Sequence, residues 1–203
     1  IINYFLDLKG ICKKKGWEQI MLLDKRIEIL DFLSKRVKEL SKGQKQKVMF
    51  LLSLLGDPSV FIYDEPFTGL DPINSEILKN IILEKKAEGK AIIFSTHILE
   101  QAEEITDRII IINKGEVVEY GGVDEIKRKY SNKRFIIEFD GEKENLLFLG
   151  KILFLREGVA EVESELKFDE IVEKIKDKVK IKSIRESLPS LKEIYIKLIG
   201  ENQ

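Results

Sequence analysis

Apolar positions change period along the chain. In "IEILDFLSKRV", Ile27, Leu30, Leu33 and Val37 recur at helical spacing and predict one core-facing stripe within a helical stretch covering 1–39. Ser41 and Gln44 form the S-x-x-Q pattern of a capping box just ahead of "VMFLLSLL". That pattern predicts a second helix over 40–55, ended by Gly56-Asp57-Pro58. "VFIY" at 60–63 is a short, continuous apolar run between turn signals, which predicts a strand buried on both faces. "INSEILKNIILEKKAEGK" reads as a helix closed at Gly89, "AIIFST" as a second buried strand and "ILEQAEEITD" as another helix. "RIIIINKGEVVEYGG" predicts a hairpin turning at Lys114-Gly115.

This alternation of strands and helices argues for an α/β layer structure with a parallel sheet. In such sheets, sites lie at the carboxyl ends of strands. Asp64 and Glu65 follow one strand and His97, the chain's single histidine, follows the next. Two carboxylates and an imidazole are therefore expected on one edge. After Tyr130 the texture changes: "RFIIEF" and "VKIKSI" read as strands, "FDEIVEKIKDK" and "SLKEIYIKLIG" as helices. Ser190 and Glu193 offer the last helix a capping box. This stretch predicts a small α+β domain over 131–203, with no chemical constellation of its own.

Composition narrows the function classes. The 203 residues are 43% hydrophobic, enough for a sizeable core. The 35 Lys+Arg and 36 Asp+Glu leave a net charge of -1, which gives no electrostatic case for a nucleic-acid partner. A single cysteine, Cys12, excludes an internal disulfide and suits a reducing compartment. "VMFLLSLLG" and "NLLFLGKILFL" fall short of the roughly 20 apolar residues that span a bilayer. "KKKG" at 13–16 fits a solvated helix end or, with less support, a basic phosphate site.

Four motifs, in order, resemble the ATP-binding subunit of an ABC transporter. "LSKGQ" (40–44) is similar to the signature motif, "VFIYDE" (60–65) to the Walker B strand, "GLDP" (69–72) to the D-loop and "STH" (95–97) to the switch histidine. The resemblance implies ATP and Mg²⁺ as cofactors. Asp64 would hold the metal through water, because Mg²⁺ keeps much of its hydration shell. Glu65 would polarise the attacking water, and His97 would contact the γ-phosphate. Ser41 and Gly43 would press on the γ-phosphate bound by a second subunit, Lys42 would add a positive charge near the phosphates, Gln44 would complete this cofactor-binding motif, and Asp71 would bridge the two chains. Without these neighbours, Asp64 and Glu65 also fit a solvated, capped turn, and a lone histidine is more often a structural hydrogen-bonder. Lys42 stands where the family commonly has glycine, and Tyr63 replaces a typical aliphatic residue and needs a hydroxyl partner if buried.

The implied architecture is a P-loop NTPase-type parallel sheet with a helical subdomain (1–55), a Walker B, D-loop and switch region (56–130) and the small α+β domain. No G-x-x-x-x-G-K-[ST] occurs in the sequence, and the chain begins at Ile1. A missing first half of the ATPase domain is therefore expected, with this chain inactive by itself. "SLPSLKEIYIKLIG" is similar to the end of the accessory domain of exporter-type ABC ATPases of the drug-resistance and sodium-export kind. The implied function is ATP hydrolysis that powers export. The implied partners are a second ATPase subunit, in a homo- or heterodimer, and a separate membrane permease, with the chain peripheral at the cytoplasmic face of the membrane. The alternatives are a soluble, non-transport ABC ATPase and a truncated, non-catalytic interaction module.

Overall fold

The computed structural model describes residues 1–200, so 201–203 of the expected last domain lie outside it. The chain divides into two compact units, one of Ile1–Ile105 and one beginning at Thr106.

The first unit opens with α1 (Ile2–Leu8) and α2 (Lys13–Ile27). The expected stripe through Val37 is broken here. Glu28 adopts a left-handed conformation at φ 53°, and the Asp24 carboxylate accepts from Ile29 N at 2.7 Å and Leu30 N at 2.8 Å. A side chain that bonds the backbone beyond its own helix competes with further helical turns. Only short 3₁₀ turns follow, at Leu30–Phe32 and Val37–Glu39. Ile27 is buried and Leu30 and Leu33 half-buried, but Val37 is exposed.

Helix α3 (Lys42–Leu54) starts where the sequence places it. Ser41 Oγ accepts from Gln44 N at 3.1 Å and Gln44 Oε1 accepts from Ser41 N at 3.0 Å, a complete capping box. Strands β1 (Val60–Asp64) and β2 (Ala91–Ser95) pair in parallel, from Val60 opposite Ala91 to Asp64 opposite Ser95. They are joined through α4 (Pro72–Ala87), and α5 (Leu99–Ile105) follows β2. Phe61 and Tyr63 face α3, where Tyr63 stacks on Phe50 with ring centroids 5.3 Å apart. Burying a ring such as Phe61 is worth about 1.5–3 kcal/mol. The Tyr63 hydroxyl lies 3.1 Å from Ser53 Oγ, whose own hydrogen goes to Phe50 O, so Tyr63 has the partner its partly buried hydroxyl requires. Burial pushes the Tyr63 pKa above its ordinary value.

The strands are not buried on both faces. Val60, Ile62 and Ile93 are exposed on the face opposite α3, Ile62 to 77%. Only the Phe61–Tyr63 and Ile92–Phe94 side packs into the core of this unit. The parallel sheet has two strands among the described residues, and the third expected strand pairs elsewhere.

In the second unit, β3 (Arg108–Asn113) and β4 (Glu116–Gly122) form the expected antiparallel hairpin. Lys114 at φ 50° and Gly115 at φ 84° give its turn two consecutive left-handed residues, as a two-residue hairpin loop requires. After α6 (Val123–Lys129) comes a four-stranded antiparallel sheet. Its strands are β5 (Arg134–Asp140), β6 (Lys151–Arg156), β7 (Val159–Glu163) and β8 (Lys180–Ser187), in the order β6-β7-β5-β8. Phe135, Ile137 and Phe139 alternate inward and pack with Ala160, Val162 and, from α7 (Phe168–Ile175), Ile171 and Ile175. The β6–β7 hairpin is absent from the sequence reading, because "NLLFLGKILFL" presents an apolar block without alternation.

Helix α8 (Leu191–Gly200) starts with the expected box: Glu193 N donates to Ser190 Oγ at 3.2 Å and Ser190 N to Glu193 Oε2 at 2.9 Å. Partial burial disfavours the charged form of Glu193. The Ser190 N–H and the Arg134 guanidinium at 2.7 Å outweigh it, and the net pKa lies below the ordinary glutamate value. A depressed folded-state pKa adds stability above the unfolded value, and that stability is lost as pH falls through the folded value. In acid titrations of the unfolding midpoint, the gap between wild type and Glu193→Gln should narrow as pH drops below the carboxylate range. A gap constant with pH would contradict the assignment.

Candidate active site

The parallel register brings the carboxyl ends of β1 and β2 together. Asp64 and Ser95 are Cα partners, and Ser95 Oγ donates to Asp64 Oδ1. The next residue, Glu65, leaves the strand at φ 48°. A non-glycine residue in this region costs about 1–3 kcal/mol and persists where its surroundings over-determine it. Glu65 N donates to Ser95 O at 3.2 Å and to Ser95 Oγ at 3.0 Å. The turn redirects the Glu65 carboxylate, whose Oε1 lies 2.8 Å from His97 Nδ1 and whose Oε2 accepts from Thr68 Oγ1 at 3.1 Å. The His97 side chain is 71% exposed, so its other nitrogen is open to a ligand.

The structure thus joins Asp64, Glu65 and His97. Of these, Asp64 suits a hard cation. One oxygen is bonded to a hydroxyl, the other has room for a second partner, and the group is exposed. No group of three or more metal-binding side chains occurs among the described residues. One carboxylate is nevertheless what Mg²⁺ asks of a protein when phosphates and water fill its remaining positions.

Of the other expected site residues, Ser41, Lys42, Gly43 and Gln44 sit at the N-terminus of α3 and Asp71 at that of α4. Ser41 and Gln44 bond each other in the capping box. Gly43 lies so close to the turn before α4 that a Cβ there would stand 2.8 Å from Gly69 O. The aliphatic stem of Lys42 also lies against Gly69. Asp71 caps α4: Oδ1 accepts from Asn74 N at 2.9 Å, and that backbone bond holds its carboxyl below the ordinary aspartate range. Thr68 and Gln46 are not evident from the sequence, and for Gln46 the reason is that its partners are set by tertiary packing. Only the position of Thr68 three residues after Glu65, within one turn, could have signalled it.

The Gly43–Gly69 approach is between backbones and leaves no flexible side chain to yield. Gly43→Ala should destabilise the protein by about 1–3 kcal/mol in urea unfolding. An unchanged midpoint would mean the two segments separate without cost.

Comparison with known proteins gives the family. Residues 121–199 match a family model described as the C-terminal domain of ATP-binding protein DrrA1-3-like, and residues 16–100 match an AAA-domain model whose description also names the AbiEii toxin of a type IV toxin–antitoxin system. An uncharacterised ABC transporter ATP-binding protein of Alkalihalophilus pseudofirmus is 33% identical over 97% of this chain and 75% of its own length. A fluoroquinolones export ATP-binding protein of Mycobacterium tuberculosis is 36% identical over 50% of this chain and 34% of its own. A solved ATP-binding subunit of an ABC transporter superposes with a TM-score of 0.56 at 34% identity, over 64% of this chain and 54% of that one. This chain therefore spans about half of that solved subunit and belongs to the ABC transporter ATP-binding protein family.

Proposed function

We propose that this chain carries the hydrolytic edge of an ATPase subunit that powers export through a separate membrane permease. The observation that supports it best is the convergence of Asp64, Glu65 and His97 at the ends of two parallel strands. The relatives named as ABC transporter ATP-binding proteins favour the transport reading over a soluble, non-transport ATPase. Export as the direction draws on the name of the mycobacterial relative. Among the described residues no helix is long and apolar enough to cross a membrane, which suits a pore built by another chain. A second ATPase subunit would meet the N-terminus of α3, where Lys42 and Gly43 offer backbone N–H groups and the Lys42 ammonium a positive charge to a phosphate, beside the Ser41 hydroxyl.

Each side chain has a defined task in this reading. Asp64, oriented by the Ser95 hydroxyl, would hold Mg²⁺, which when bound neutralises charge on the phosphates. Glu65 accepts a proton from the attacking water, a contribution of about 10²–10⁴-fold. Thr68 and His97 fix its two oxygens. With Nδ1 donating to Glu65, neutral His97 has only an acceptor at Nε2. Nε2 is the ring atom left to face the γ-phosphate. Asp71 is tied to its own helix N-terminus, so any bridge to a second subunit uses the lone pairs left over.

Glu65→Gln in the full-length native protein should cut ATP turnover at least about 100-fold while ATP binding stays within about twofold. Near-normal turnover by this variant would overturn the role of Glu65 as base.

A further inference from the structure

Glu65 is held from both sides of its backbone. On the amide side the partner is Ser95, as described. On the carbonyl side the contact comes from α3, nineteen residues earlier in the chain. Gln46 Nε2 donates to Glu65 O at 3.3 Å and to Pro66 O at 2.9 Å. The Gln46 side chain is half-buried, and α3 is anchored independently through Phe50 on Tyr63. One amide thus spans from a packed helix to the two carbonyls that follow the left-handed residue. These bonds restrain ψ of Glu65 and of Pro66, and so the direction in which the Glu65 carboxylate leaves the turn.

We infer that Gln46 is a positioning residue for Glu65, and that it couples the placement of α3 to the geometry of the base. The inference rests on the reading of Glu65 as base given above. Its physical content is leverage. Gln46 lies on the same rigid helix as Ser41 and Gly43, within its first two turns. A displacement of that N-terminus carries Gln46 with it and pulls on the Glu65 and Pro66 carbonyls. Misplacing a catalytic group by about 1 Å can cost on the order of 100-fold in rate. Contacts at the head of α3 therefore set whether the carboxylate points at its target, without any direct bond between Ser41 or Gln44 and Glu65.

The test uses the full-length native protein and Mg-ATP. Gln46→Glu keeps size and shape but turns the donor into an acceptor facing two carbonyls. Gln46→Met removes the donor without adding charge, and Gln46→Lys restores a donor on a stem of similar length. The inference expects kcat to fall about tenfold or more in Gln46→Glu and Gln46→Met, with KM within about twofold. It expects Gln46→Lys to stay within about threefold of wild type. Should Gln46→Glu fail to fold, Gln46→Met and Gln46→Lys carry the comparison. Wild-type kcat in Gln46→Met would overturn the inference, as would an equal loss in Gln46→Met and Gln46→Lys, since shape rather than donation would then matter. Glu65→Gln is measured alongside. A silent Glu65→Gln with an active Gln46→Met rejects only the role of Gln46, whereas an active Glu65→Gln rejects the base itself.

Discussion

Strands β1 and β2 meet in parallel with Asp64 opposite Ser95, and the chemistry of the molecule is arranged around that single pairing. Side chains alternate along a strand, so a register slip of one residue would turn Ser95 away from Asp64 and remove the double acceptor that holds Glu65 N. The register is itself fixed from the packed side. Phe61 and Tyr63 alternate inward with Ile92 and Phe94, and a slip of either strand would turn its own pair outward. Core burial and the geometry of the proposed site are therefore set by one alternation read on its two faces.

In the proposed function, Glu65 is the residue that depends most on this order. Its left-handed backbone is unfavourable and is sustained by bonds from three segments: Ser95 on β2, Gln46 on α3 and Thr68 in its own turn. Together they aim one carboxylate at His97. The close contact of Gly43 with Gly69 adds a second connection between α3 and the loop after β1. Helix, turn and strand end behave as one assembly, and strain at one residue is balanced by contacts that no single element supplies.

Features governed by neighbours in sequence were legible. The capping boxes at Ser41–Gln44 and Ser190–Glu193, the Lys114-Gly115 turn and the strand ends bearing Asp64 and His97 all follow from local pattern. Even the need of Tyr63 for a hydroxyl partner could be stated, though not that Ser53 meets it. What escaped was set by competition or by distant packing. The helix that was to run on toward Val37 stops because the Asp24 carboxylate captures two amides beyond Ile27. The β6–β7 hairpin hides in an apolar block whose period does not distinguish strand from helix. The expectation of two buried strand faces failed because continuous hydrophobicity says that a face is apolar, not that something covers it. Gln46 carried no signal, since its two acceptors lie across the fold.

The most direct measurement is a high-resolution structure of the full-length protein trapped with Mg²⁺ and a non-hydrolysable ATP analogue. The account predicts a water within hydrogen-bond reach of Glu65, about 2.6–3.2 Å away and in line with the γ-phosphate, with Asp64 on the metal's water shell and His97 on the γ-phosphate. A Glu65 carboxylate turned away from the nucleotide, with another group holding that water, would contradict it.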